Sequence, residues 1–377
     1  MENKCFGSGP CAKRKGWSCL DLSLAGRSHR SKEGLALIRK TVQLQREILG
    51  VPDGYLVGTC AASCTGGMEL LMWNLLGARP VDVLSYCVFS NHWARDIVDE
   101  LKVPNTTLIR ESFPRMADVT EANFSHDVVF CLSSTTSGVS FHDTDWIPKD
   151  RDGLTICDAS SGAFVIDVDW EKLDAVAFSW QKALGGEGGF GTVVLSPRAV
   201  DRLRNFRPNR AIPRIFRIVN DGQINMDFFD GATINTPSLL CFQDFYETLV
   251  WADKAGGLPF LLQRVEDNYK VVREWLESQN IFRFLVEERF RAHHIACFDI
   301  NNAKYQRLSE DQKWQFLYRI RDIASDRQCG YDFLGHALTE PHIRIWCGPT
   351  IESEDLKFFL RNLLEIYSEV ASEYDFG

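Results

Sequence analysis

The chain has 377 residues, 45% hydrophobic and 25% charged, an ordinary globular composition with room for two domains or three. Its 42 Lys and Arg against 51 Asp and Glu leave a net charge of −9, which argues against generic nucleic-acid binding. The twelve cysteines include no CxxC pair and the eight histidines show no HExxH or zinc-finger spacing, so the cysteines read as reduced core residues of a cytoplasmic protein and no metal site is expected.

The opening MENKCFGSGPCAKRKGW lacks the apolar core of a signal peptide, and no run is long enough to span a bilayer, so no membrane partner is expected. SKEGLALIRKTVQLQREILG (31–50) then reads as a helix, with Ser31 as N-cap and Gly50 at its stop. A strand at 55–59, a helix at about 66–76, a strand at 81–86 and a helix around 94–101 follow. Further strands are read at 127–133, 154–158, 173–180 and 191–196. This alternation predicts an α/β fold, a mostly parallel sheet covered on both faces, with ligands beyond the carboxyl ends of its strands. After about 256 the pattern becomes α+β, with helices at 256–278, 309–325 and 351–374 and strands at 293–300 and 342–348. The expected division is a large cofactor-binding domain over 19–257 and a smaller domain over 258–377 joined by the N-terminal segment 1–18.

The stretch FSWQKALGGEGGFG (178–191) ends one buried strand on a lysine and leads through glycines to another. A phosphate loop needs its glycines before the lysine, and a dinucleotide fingerprint needs GxGxxG to open a helix, whereas GEGGFG leads into a strand. Two readings of Lys182 remain: a solvated lysine in a glycine-rich hairpin, or an amine that condenses with an aldehyde cofactor. The second needs a carboxylate for a pyridinium nitrogen, an aromatic face and an anion cradle. Asp158 ends the strand before, although an Asp there also suits a turn or cap. Trp93 in SNHWARD offers a ring, although Trp more often packs a core. AASCTGG (61–67) is a strand-to-helix turn suited to an anion, although capping explains its Ser and Thr as well. Thr135 in SSTTSG stands at another strand end.

With FSWQK, CDASS, HWA and SSTTSG in place, the chain resembles the class V pyridoxal-phosphate aminotransferases of fold type I, and among them the phosphoserine aminotransferase family in its divergent branch. FGSGP (6–10), SHRSKE (28–33) and INTPS (234–238) carry the narrower resemblance. It implies pyridoxal 5'-phosphate as cofactor, with Lys182 as the Schiff-base lysine. Asp158 would then pair with the ring nitrogen, Trp93 stack on the ring and Thr135 meet the ring hydroxyl. Cys64, Thr65 and Gln181 would hold the cofactor phosphate, together with Asn235 and Thr236 from the other subunit of a homodimer with shared sites. His29 and Arg30 would bind substrate anions, Arg344 the α-carboxylate, and His336 or His342 would stand beside it. The implied substrates are L-glutamate and 3-phosphooxypyruvate, the products O-phospho-L-serine and 2-oxoglutarate, a step of serine biosynthesis. One departure stands out: the turn AASCTGG lacks the arginine that many members use for the substrate anion, which leaves Arg27 or a partner residue for that task. Alanine–glyoxylate transamination and cysteine desulfuration, the latter needing a mobile cysteine such as Cys329, are the competing activities, and a non-catalytic protein keeping the fold is a third alternative. SHRSK, suited to a doubly anionic substrate, argues against the first two.

Overall fold

The computed structural model describes residues 4–18 and 20–374; the outer ends of the expected small domain, 1–3 and 375–377, and the expected boundary residue 19 lie outside them. The first half runs α1 (Lys32–Ile48), β1 (Leu56–Ala61), α2 (Ser63–Leu75), β2 (Val81–Ser85), α3 (Val88–Arg95), β3 (Thr106–Arg110), β4 (Asp127–Cys131), β5 (Thr155–Asp158), β6 (Ala175–Ser179) and β7 (Phe190–Leu195). It continues through α4 (Pro197–Asn205), a short hairpin of β8 (Val219–Asn220) and β9 (Gln223–Ile224), α5 (Met226–Phe229), α6 (Leu239–Ala255) and α7 (Gly257–Glu277). The remainder is β10 (Phe282–Phe284), β11 (Ile295–Ile300), α8 (Ala303–Gln306), α9 (Glu310–Asp326), β12 (Ile343–Trp346) and α10 (Ser353–Glu373).

Seven strands form one sheet in the order β1-β7-β6-β5-β4-β2-β3. From β6 to β3 every pairing is parallel, and β7 runs antiparallel to both its neighbours. The central strands β2, β4, β5 and β6 are buried along their whole length, as strands of a parallel sheet covered on both faces are. Parallel register brings their carboxyl ends to one edge: Cys131 pairs with Asp158, and Asp158 with Ala177. Helix α2 lies close on this sheet because Gly67 has no side chain; a Cβ there would stand 2.9 Å from that of Ala177. A second, antiparallel sheet has the order β10-β11-β12.

Ser31 caps α1 as expected, its hydroxyl accepting from the Gly34 amide at 3.1 Å, and Gly50 follows with a left-handed φ of 62°. The elements α4, α5, α6, α8 and β8 to β10 have no counterpart in the sequence reading, and two more differ from it. Helix α3 begins at Val88 rather than near Ala94, because Cys87 and Ser90 cap it reciprocally, and it ends in a π-helical turn over Asp96–Glu100. Strand β3, TTLIR, has no sequence expectation, since a half-exposed edge strand carries no apolar run.

The N-terminal segment ties the two sheets together. Phe6 donates its amide to Tyr331 and accepts from Trp346, both at 2.9 Å, while the Cys11 amide donates to the Gln181 carbonyl at 3.0 Å. Lys13 anchors the far end with 2.7 and 2.6 Å bonds to Asp244.

Candidate active site

A cavity of about 250 Å³ opens beyond the carboxyl ends of β4, β5 and β6, and Lys182, Asp158, Trp93, Thr135, Gln181 and Cys64 all line it. Lys182 is aimed by its neighbours. Trp180, fully buried, donates its indole N–H to Thr192 Oγ1 at 2.9 Å and stacks on Phe245 at 4.6 Å between centroids, which anchors the chain two residues earlier. The turn then closes through Gly185, whose amide donates to the Lys182 carbonyl at 2.8 Å at a left-handed φ of 64°. The Lys182 amine donates to the Ser8 carbonyl at 2.6 Å, and Gly9 passes so close that a Cβ there would stand 2.5 Å from Nζ. Burial pushes the amine below the ordinary lysine range and the Arg344 charge adds to this, while Cys11 and Asp158 oppose it.

Asp158 is 4% exposed, so its oxygens depend on protein donors. Oδ2 accepts from the Trp93 indole at 2.9 Å, and Oδ1 from the Ser160 amide at 2.9 Å. Trp93 therefore both lines the cavity and orients the carboxylate. Beside it, Ala62 and Ser63 turn the chain with left-handed φ values of 63° and 59°, and no side chain caps α2 among the described residues. An uncapped helix start facing a cavity attracts an anion. Thr65 is exposed there, and Ser63 Oγ bonds Gln181 Oε1 and Ser179 Oγ, each at 2.9 Å. A buried carboxylate, an aromatic ring, an uncapped helix start and a burial-depressed amine in one cavity fit pyridoxal 5'-phosphate.

Cys64 departs from its expected place in the phosphate cradle. Its amide donates to Ser179 Oγ at 3.3 Å and its thiol lies 3.3 Å from Asp158 Oδ1, because the left-handed turn at 62–63 swings its side chain toward β5. Arg344, on β12, donates to the Thr135 carbonyl at 2.7 Å, and its buried Nε has no partner among the described residues. Of the two histidines, His336 stays half-buried; burial lowers its pKa, with the Arg344, His92 and Lys182 charges adding to the effect. His342 is 1% exposed, packs on Phe113 and donates its Nδ1–H to the Glu340 carbonyl at 2.7 Å. Burial takes it down to about 4.

The remaining expected residues do not line this cavity. His29 is buried and Arg30 exposed at the entry to α1, and Arg27 is paired with Glu33 at 3.5 Å. Asn235 lines a separate groove of about 370 Å³ against β1, with Arg214 and Arg217, and Thr236 is exposed beside it. Cys329, the cysteine a desulfurase would need, is 1% exposed, with its thiol on the Ala324 carbonyl at 3.4 Å. That removes the mobile loop cysteine.

Sequence reading alone missed Ser8, Gly9, Phe89, Ser133, Ser160 and Ser179. Ser160 had a signal, since an Asp two residues before an amide forms an Asx turn. Ser133, bonded to His294 Nε2 at 2.7 Å, had none, its partner being 161 residues away.

No family model matches the chain. A curated phosphoserine aminotransferase from Methanosarcina mazei is 42% identical over 359 residues, covering 94% of this chain and 94% of that protein. A solved phosphoserine aminotransferase from Cytophaga hutchinsonii superposes with a TM-score of 0.78 at 20% identity, over 98% of this chain and 99% of that one. A pyridoxal-phosphate-bound phosphoserine aminotransferase from Trichomonas vaginalis gives 0.77 at 18% identity, over 95% and 99%. At these structural identities the likeness is one of fold.

Proposed function

The chain belongs to the phosphoserine aminotransferase family, and from that premise we propose how its own residues carry the reaction. It is a pyridoxal-phosphate-dependent aminotransferase of fold type I. It moves an amino group from L-glutamate to 3-phosphooxypyruvate, giving O-phospho-L-serine and 2-oxoglutarate. When bound, the cofactor supplies an aldehyde that attaches amines and a pyridinium ring that takes up electrons.

Lys182 is the attachment point and, once its amine is free, the base that takes and returns the substrate Cα proton. Burial favours its neutral form, which a base requires. The Ser8 carbonyl, at 2.6 Å, holds that amine in place between transfers. Asp158 presents a fixed negative charge to the ring nitrogen, Trp93 packs on the ring and Thr135 borders it. Thr65, Gln181, Ser63 and Ser179 receive the phosphate at the start of α2. Arg344 takes the substrate α-carboxylate, for which its free Nε and fork geometry suit it. His336, rather than the buried His342, stands at the mouth with it.

The protein works as a cytoplasmic homodimer in which Asn235 and Thr236, with His29 and Arg30, serve the partner's cavity. None of the four lines the Lys182 cavity of its own chain, and exposed apolar side chains, Ile234 and Leu240, stand within and just after the 234–238 loop. The division into a large domain over 19–257 and a small one over 258–377 with 1–18 goes with this reading. No helix among the described residues is long and apolar enough to cross a membrane.

The observation that carries the mechanism is a burial-depressed amine and a donor-held carboxylate in one cavity at adjoining strand ends. Borohydride treatment of the cofactor-loaded protein, followed by peptide mass spectrometry, should place the label on Lys182. Full turnover by Lys182→Ala would end the proposal.

A further inference from the structure

Asp158 is oriented from three elements at once. The Ser160 amide comes from the turn after β5, the Trp93 indole from α3 and the Cys64 thiol from α2. The thiol lies 3.3 Å from Oδ1, a hydrogen-bond distance for sulfur. We propose that Cys64 is a positioning residue for Asp158, its thiol donating the hydrogen bond that, with Trp93 and Ser160, aims the carboxylate at the ring nitrogen of the bound cofactor. This rests on the reading of Asp158 as the partner of that nitrogen.

The direction of the bond follows from chemistry. An ionised carboxylate only accepts, so the thiol must donate. It keeps its proton, because burial raises its pKa well above the ordinary value and the Asp158 charge raises it further. Beside Asp158 the thiol also meets the Ser160 side chain, which belongs to the same turn and so keeps it at the carboxylate; the phosphate side is taken by Ser63, which bonds both Ser179 and Gln181. Cys64 is itself 4% exposed and cannot leave Asp158 for solvent. A carboxyl group rotates in a broad torsional well, so each oxygen needs its own donors to fix the plane. Trp93 serves Oδ2, where Cys131 Sγ adds only a long contact at 3.8 Å. Ser160 and Cys64 serve Oδ1. Without the thiol, Oδ1 keeps a single local donor from its own turn, and the carboxylate loses its tie to α2.

The test compares Cys64→Ser, Cys64→Ala, Cys64→Val and Asp158→Asn with the parent protein. Pyridoxal phosphate affinity is read by titration of intrinsic fluorescence, the visible band of the bound cofactor by absorbance, and folding by thermal melts. Cys64→Ala should weaken cofactor affinity about 2- to 10-fold, the worth of one net hydrogen bond, and alter the band. Cys64→Ser, which keeps a donor, should restore both. Cys64→Val fills the volume without a donor, should behave as Cys64→Ala, and stands in for it should the alanine protein not fold. Parent-like affinity and band in Cys64→Val or Cys64→Ala overturn the proposal, as does a Cys64→Ser protein displaced as far as they are. Should Asp158→Asn shift both readouts while the Cys64 variants shift neither, only the role of Cys64 falls. Should Asp158→Asn itself shift neither, the ring-nitrogen reading falls and takes this inference with it.

Discussion

Gly9 gives the sharpest steric test of the site. The Lys182 amine donates to the Ser8 carbonyl at 2.6 Å, and a Cβ on residue 9 would lie 2.5 Å from Nζ and 3.1 Å from Cε. Ordinary contact begins near 3.4 Å. In Gly9→Ala the amine must therefore move by about 1 Å, a displacement that can cost about 100-fold in rate when the group is catalytic. Stability should fall by no more than a few kcal/mol: the atom that yields is the far end of a flexible side chain, a loss of about one net hydrogen bond or roughly 1 kcal/mol, and the φ of 158° at residue 9 adds backbone strain of about 1–3 kcal/mol once a side chain is present. The amine is blocked only where it rests when free, so cofactor uptake should persist while turnover falls. The assay is steady-state transamination of L-glutamate with 3-phosphooxypyruvate, run beside a cofactor titration and a thermal melt. Parent-like turnover in a folded, cofactor-loaded Gly9→Ala protein would refute the steric argument. A collapse of melting temperature in step with activity would refute it too, by making the residue structural.

Three more outcomes follow from the same geometry. His294 and His342 are both 1% exposed, and burial holds them at about 3 and about 4. Folded, they are neutral; unfolded, they bind protons near 6.5, so stability falls as pH drops from about 6.5 toward the folded values, by about 2 kcal/mol for each at pH 5. Melts at pH 7 and pH 5 should show the loss, and His342→Leu should remove about half of it. Arg344→Lys keeps the charge but not the fork; kcat/KM for L-glutamate should drop about 10- to 100-fold with cofactor affinity unchanged in titration. Asp127, fully buried, accepts from Arg202 at 2.8 and 3.1 Å. Arg202→Met should cost about 3–5 kcal/mol in denaturant unfolding by stranding that carboxylate, and adding Asp127→Asn should recover part of it.

Much of this architecture is legible in the chain because apolar runs and periodicity are local signals. VDVLS, DVVFC and AVAFS announce buried parallel strands, and Ser31 and Gly50 mark the ends of α1 within two residues. Where the signal is weak the reading slips: β3 is a half-polar edge, and α3 starts on a cysteine cap that composition does not reveal. Lys182 and Asp158 were readable as a pair because adjacent parallel strands bring their carboxyl ends to one edge whatever the loops do. The segments SHRSK and INTPS lie outside the cavity of their own chain, and one chain's sequence does not say whose cavity a segment serves.

The sequence by itself determined the α/β layout, the strand ends on which the amine and carboxylate stand, and a strand-to-helix turn beside them. Only the tertiary structure decided what each of these groups touches. The Ser8 carbonyl reaches Lys182 from 174 residues away, and Cys64 meets Asp158 across 94. The first contact needs the N-terminal segment laid between two sheets. The second needs two consecutive left-handed residues that turn a side chain from the phosphate cradle toward the neighbouring strand. Periodicity encodes which face of an element is buried, whereas the direction of a hydrogen bond depends on backbone angles and on chain brought in from afar.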